Sequence, residues 1–490
     1  MKRTNLYLLL IALISAMGGL LFGYDWVVIG GAKPFYEQYF AIAGSPHLQG
    51  LAMSTALMGC LLGALTAGRL SDRFGRKPLL LVAAMLFFCT SYATGAATSF
   101  LWFNIFRFTG GIAIGMASSL SPMYIAEIAP TSIRGRLVAV NQLTTVLGIL
   151  SAQVVNWLIA EPVPVDATGE MIAASWNGQT GWRWMFWAMM VPSGLFFMLG
   201  WLLPESPRWL VIQGKDSKAQ SVLVRLGGME YAAEEIARMH TTMYTGVQAG
   251  FRELFKRKYS RVLIIGIVLA VFQQWCGTNV IFNYAQEIFM AAGYGVSDVL
   301  MNIVITGITN VVFTIVAMFL VDKLGRKVLL LIGAFGLALI YLLMGGAYFL
   351  HVSGVALVVI VVLAIACYAM TLAPVSTLFP YTTLFRSVVI VVLAIACYAM
   401  TLAPVMWVVV SEIFPNKIRG VAMSVATFAL WAACTVLTYT FPLLNSGLGA
   451  AGTFWLYGGI CLAGGVFTMF YVPETKGKSL EQIEKELVKE

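Results

Sequence analysis

Gly68–Lys77 reads GRLSDRFGRK, and a shortened form of it, VDKLGRK, returns at Val321–Lys327. The first follows the second apolar run of the chain and the other follows the eighth. Two further motifs repeat in the same order. YIAEIAPTSIRG at Tyr124–Gly135 follows the fourth run, and VSEIFPNKIRG at Val410–Gly420 follows the tenth. PESPRWL at Pro204–Leu210 follows the sixth, and PETKG at Pro473–Gly477 follows the twelfth. Motifs at matching places in both halves mean a parallel internal repeat. Such a repeat predicts two pseudo-symmetric six-helix bundles with a substrate site near the midplane between them.

Outward from these loops, the apolar runs fall near residues 6–32, 50–70, 78–97, 100–121, 137–160 and 183–203, then 261–290, 299–321, 328–350, 388–410, 421–444 and 452–472. Most reach the ~20 residues a helix needs to cross a bilayer. A chain of 490 residues, 60% hydrophobic and 11% charged, is expected to be an all-α polytopic membrane protein. The alternating segments of a β-barrel are too few. The expected organisation is an N-terminal bundle at 1–203, a cytoplasmic helical linker at 204–258, a C-terminal bundle at 259–473 and a cytoplasmic tail at 474–490. SKAQSVLVRLGG and AAEEIARMH in the linker read as short amphipathic helices.

The net charge of +9 is spread over short loops, so it argues for the positive-inside rule and against nucleic acid. Arg69, Arg73, Arg76, Lys77, Arg134, Arg136, the linker, Lys323, Arg326, Lys327, Lys417, Arg419 and the tail all fall on one side. That side, with both termini, is read as the cytoplasmic side of a plasma membrane, a bacterial inner membrane in the first instance. The opposite loops are nearly free of Lys and Arg, Lys33 being the main exception. The first run lacks a small-residue cleavage site and reads as a retained helix. Seven cysteines lie in apolar runs without metal-ligand spacing, and His47, His240 and His351 form no cluster. With no nucleophile–base pair either, an enzyme, a metal and a cofactor are not expected. The chain is expected to be a monomer in the lipid bilayer.

One segment breaks the pattern. Val358–Val375 reads VVIVVLAIACYAMTLAPV, and Val388–Val405 repeats it residue for residue after STLFPYTTLFRS. Structural repeats diverge, so an identical copy has the mark of a recent duplication or of a cloning or assembly error. If both copies crossed, the SEIFP loop would move to the outer side, against its charge. The second copy runs on into Met406, Trp407 and that loop, so it is assigned to the tenth span. Residues of about 358–387 are then surplus.

Polar groups inside the runs carry the functional signal. Asp25 sits in GGLLFGYDWVVIGG, where a carboxylate near a bilayer centre costs about 2.5–3.5 kcal/mol or more unless it faces a cavity or a partner. Arg107, inside FNIFRFTGG, lies roughly 10 Å below the outer surface at 1.5 Å per residue, and Asp25 is in the outer half too. A carboxylate balanced between an ion pair and desolvation can take a proton from one side and release it to the other. Amides inside apolar runs are costly unless used, since each both donates and accepts hydrogen bonds, and an aromatic ring offers a flat apolar platform. Gln142, Gln273, Gln274, Asn279, Asn283 and Asn310 are such amides, and Trp407 is such a ring. On a straight helix Gln273 and Asn279 stand about 120° apart, so they converge only if the helix loosens near Gly277 and Thr278.

GRLSDRFGRK, PESPRWL, VDKLGRK, SEIFPNKIRG, PETKGKSLEQIE and FQQWCGTNVIFNYA together resemble signatures of the sugar porter family of the major facilitator superfamily. GGLLFGYD and LSPMYIAEIAP bring the chain nearest to its bacterial xylose–proton symporters. The resemblance implies a twelve-helix alternating-access carrier for a monosaccharide and a proton. It implies sugar contacts at Gln142, Gln273, Gln274, Asn279, Asn310 and Trp407, to which Phe22, Asn283 and Trp431 are added here. It implies proton coupling at Asp25 with Arg107. It also implies a cytoplasmic gate of Arg69, Arg73, Arg76, Glu127, Arg134 and Glu205 in one half and Asp322, Arg326, Glu412, Arg419 and Glu474 in the other. Leu430 stands where the family often has an amide before Trp431, and Asn283–Tyr284 stands where it often has two tyrosines. Both departures bear on which sugar is taken. The other readings are a uniporter of the same fold and a non-transporting sugar sensor.

Overall fold

Every regular element among the described residues is helical. The computed structural model describes residues 2–130, 133–164, 167–245, 254, 256–291, 295–350, 385–415, 418–476 and 480–487. The first five spans are Lys2–Tyr39, Pro46–Phe74, Arg76–Ala96, Phe100–Ile128 and Arg134–Ile159. The sixth is made of two pieces, Trp182–Trp187 and Met190–Gly200. The seventh is Ser260–Trp275 followed by Thr278–Asn283, the eighth Val296–Leu324 and the ninth Arg326–Phe349. The tenth is Phe385–Met400 followed by Leu402–Ile413. The eleventh and twelfth form one run, Arg419–Tyr471, interrupted at Gly449, where φ is 68° and ψ 174°. Among the described residues, ten helices are long and apolar enough to cross a membrane. The joined run covers two spans and the divided sixth adds one more, which makes twelve. The all-α polytopic fold expected from the apolar runs is therefore the fold observed.

The second copy of the duplicated sequence, Val388–Val405, lies within the tenth span, which continues through Trp407 to Ile413. The first copy lies outside the described residues, as does nearly all of the stretch read as surplus.

The described residues pack into two compact units. One comprises Met1–Ile29, Thr55–Val155 and Thr180–Phe251, and the other Gly30–Ser54, Asn156–Gln179 and Arg252–Glu490. In the first unit, small residues let helix backbones touch. A Cβ on Gly23 would overlap the Thr145 carbonyl, and one on Gly111 would overlap that of Ala56. Helices in lipid associate through such close contact, because burying apolar side chains gains nothing there. After the sixth span, Pro207–Ile212, Asp216–Gly227 and Met229–Thr245 are helical. Trp209, Leu210, Val211 and Ala219 form a small core there, against which Val222, Ile236 and Met239 pack. The indole of Trp209 donates to the Asp72 carbonyl at 2.9 Å and anchors this segment to the end of the second span.

Candidate functional site

In the first unit, Asp25 and Arg107 meet. Arg107 Nη1 donates to Asp25 Oδ1 at 2.7 Å, and both residues are buried, at 6% and 4% exposure. The guanidinium also lies over the Phe186 ring, 5.6 Å from its centre. Two opposite charges buried together avoid the cost each would carry alone. Asp25 Oδ2 has no hydrogen-bond partner among the described residues. A proton can be taken there without displacing a bond already made. Phe22, less than one turn before Asp25 on the same helix, is half-buried and meets Trp26 edge-to-face at 5.7 Å. Gln142 is exposed on the fifth span. An amide on the open face of a span belongs against water rather than hydrocarbon.

In the second unit, the amides of the seventh span form a relay. Asn279 Nδ2 donates to Gln274 Oε1. Gln274 Nε2 donates to Gln273 Oε1 at 3.3 Å, and Gln273 Nε2 donates to the Ala403 carbonyl at 3.2 Å. Two helix breaks make this possible. Gly277 adopts φ 85°, left-handed backbone that favours glycine, and it divides the seventh span where the sequence expects loosening. Thr401 leaves helical geometry at φ −124°, ψ −82°, between the two pieces of the tenth span, just before Ala403. Asn283 and Asn310 are buried, at 4% and 5% exposure, and no hydrogen bond joins either to the relay among the described residues. Trp431 is buried and Trp407 half-buried.

The repeated loop motifs build the same clamp in each unit. In the first, Gly75 at φ 100° lets the chain turn into the third span, and Glu205 accepts from the Arg76 and Lys77 backbone at 2.9 and 3.3 Å. In the second, Gly325 at φ 96° does the same, and Glu474 accepts from the Arg326 and Lys327 backbone at 3.0 and 3.1 Å. A carboxylate at a helix start satisfies free N–H groups and suits the positive end of the helix. Burial pushes the Glu474 carboxyl up, but backbone N–H donation from Lys476, Arg326, Lys327 and Thr475 outweighs it and leaves it below the usual carboxylate range. Arg76 grips Glu127 with two bonds of 3.0 Å, and Arg326 reaches Glu412 at 3.5 Å. Arg134 donates to the Ala129 carbonyl at 3.5 Å, and Arg419 to that of Phe414 at 3.1 Å. Lys77 Nζ donates to the Trp201 carbonyl and Lys327 Nζ to that of Met469, both at 2.8 Å.

The expected gate residues thus divide. Arg76, Glu127 and Glu205 come together in one unit, and Arg326, Glu412 and Glu474 in the other. Arg69 and Arg73 are exposed, Arg73 over the neighbouring Phe74 ring at 5.2 Å. The Asp322 side chain lies outside the described residues. Sequence reasoning missed Ser206, whose hydroxyl donates to Glu127 at 2.5 Å. It also missed Phe186 beside Arg107. Neither residue type is unusual at its position, so nothing in the sequence marked them.

Paired helix-start clamps, a buried ion pair and polar groups gathered at broken helices define a multi-pass membrane transporter. The chain belongs to the family described as sugar (and other) transporter, whose pattern matches residues 11–381 and 382–487. The break between the two matched stretches falls in the spacer separating the duplicated copies. The chain is 35% identical to the arabinose-proton symporter of Bacillus subtilis (strain 168) over 484 residues, 99% of this chain and 96% of that protein. It is 35% identical to the D-xylose-proton symporter of Escherichia coli (strain K12) over 511 residues, 98% of this chain and 95% of that protein. Among solved structures, the inward-open conformation of the xylose transporter XylE from E. coli matches with a TM-score of 0.79 at 33% identity, covering 97% of this chain and 99% of that one. The fold is the twelve-helix major facilitator fold, two pseudo-symmetric six-helix bundles.

Proposed function

We propose that the chain is a proton-coupled monosaccharide symporter working by alternating access, with Asp25 as the proton carrier. The observation that carries this reading is the buried Asp25–Arg107 pair, in which one carboxylate oxygen is held and the other is left unbonded. In the proposed cycle a proton enters Asp25 from the outer side and loosens the pair. Sugar binding then favours closure, and both ligands leave inward. The amide relay Gln273, Gln274 and Asn279 supplies donors and acceptors to the sugar, with Asn283, Asn310, Trp407 and Trp431 taken as further contacts from the same unit. Gln142 keeps the sugar-facing role that the family resemblance implies, and Phe22 is taken as a further contact. The substrate is a pentose or hexose, as the names of the relatives suggest. The two clamps are parts of a cytoplasmic gate, and both termini lie on that side, as the loop charges argue.

The test is uptake in proteoliposomes, with and without an imposed pH gradient, using labelled xylose, arabinose, glucose and galactose. Accumulation is expected only with the gradient. Asp25→Asn is expected to abolish accumulation while sugar counterflow survives. Accumulation that persists in Asp25→Asn sinks the coupling role, and uptake indifferent to the gradient selects a uniporter.

A further inference from the structure

Lys33 is the basic residue that the loop-charge pattern leaves unexplained, at the end of the first span away from the basic loops. It does not reach toward water. It is 1% exposed, although a lysine near a helix end ordinarily extends its ammonium to the interface. Its Nζ lies 3.2 Å from Glu37, one turn further along the same helix. It also pairs with Glu287, just beyond the divided seventh span. Its ammonium stands over the Tyr284 ring, 5.1 Å from the centre. Gln49 Nε2 reaches Glu37 from the second span at 3.5 Å. All of these residues belong to one compact unit.

The two partners Lys33 meets outside the first span, Tyr284 and Glu287, have one thing in common. Both directly follow the short Thr278–Asn283 helix, which carries Asn279 and Asn283. That helix is divided from the rest of its span at Gly277, where the helical backbone ladder is interrupted. The backbones are close here as well. A Cβ on Gly30 would lie 3.1 Å from the Phe282 carbonyl oxygen and 3.3 Å from that of Asn283.

We propose that Lys33 is a positioning residue for sugar recognition: by tying Tyr284 and Glu287 to the first span, it holds the detached helix so that Asn279 and Asn283 present their amides. This rests on the sugar-symporter reading given above. A buried ammonium between two carboxylates is a strong tie, because losing either side leaves a charge stranded away from water.

The experiment uses the full chain in proteoliposomes. Two readouts are taken on wild type, Lys33→Met, Lys33→Arg, and Lys33→Glu combined with Glu287→Lys. That last pair keeps one ammonium among carboxylates. The first readout is the half-saturation concentration for xylose counterflow. The second is the rate at which a membrane-impermeant maleimide labels Gln286→Cys placed in each background. Lys33→Met is expected to raise the half-saturation concentration on the order of tenfold with the saturated rate kept, and to speed labelling several-fold. Lys33→Arg and the charge exchange are expected to reverse both effects. If Lys33→Met does not fold, Glu287→Gln carries the same expectation, since Lys33 then keeps Glu37. Half-saturation within twofold of wild type, or a charge exchange no better than Lys33→Met, overturns the proposal. A wild type that exchanges no sugar at all sinks the symporter reading instead, and the labelling rates then decide alone whether Lys33 holds the helix.

Discussion

Gln274 stands in the middle of the relay. It accepts from Asn279 and donates to Gln273, so its amide is used on both sides before any sugar arrives. Replacing it with alanine strands a buried donor and a buried acceptor, a cost of about 1–3 kcal/mol. Gln274→Ala is expected to raise the half-saturation concentration for counterflow by roughly ten- to a hundredfold, read in the same proteoliposome assay. The identity of these residues was legible in the sequence, because amides are expensive in apolar runs and stand out there. Their connections were not. Gln273 bonds to Ala403, far along the chain, and a backbone carbonyl carries no trace in a residue code. Lys33 was visible as an outlier of charge, and Glu37 four residues on is a natural partner. Glu287 was not, since only the packing of distant helices brings it near.

At the scale of elements, the break at Gly277 was readable, since one glycine between polar residues is where a span loosens. The break at Thr401 was marked as well, though it went unread: Pro404 has no N–H to give and its ring crowds the carbonyl four residues back, at Met400, where the first piece ends. The division of the sixth span after Trp187 has the same kind of mark, Pro192 standing four residues beyond Ala188. The helix starts after Gly75 and Gly325 are plain in the repeated motifs. Their φ and ψ fall in a region essentially restricted to glycine. The Glu474 clamp gives a pH dependence of known sign. Its carboxyl is held below the usual range in the folded chain, so its contribution is complete above about pH 4.3, the ordinary value for Glu. That contribution is lost as pH falls through the lower folded value. Thermal unfolding in detergent is expected to show this acid-side loss, and Glu474→Gln is expected to flatten it while lowering stability at neutral pH.

For the whole molecule, twelve runs, a linker and repeated loops gave the fold without any structure. What the runs did not convey is how the chain groups itself, because Gly30–Ser54 and Asn156–Gln179 pack with the second unit and not with their neighbours in sequence. Hydropathy reports depth, not partners. We take the first copy of the duplicated sequence to be surplus to the fold. The second copy and the residues after it supply the tenth span from Val388 to Ile413, so a chain lacking residues 358–387 is expected to keep sugar counterflow at least equal to that of the full chain. Loss of counterflow on that deletion, in protein shown to be folded, counts against reading the stretch as surplus.

The clamps also impose an order on biosynthesis. Glu205 lies 129 residues after the helix start it caps, and Glu474 lies 148 after its own. A ribosome delivers each carboxylate only once the last span of its half has been made. Until then the third and ninth spans begin with uncapped N–H groups, and a chain halted early cannot hide them. Each clamp therefore registers that its half is complete.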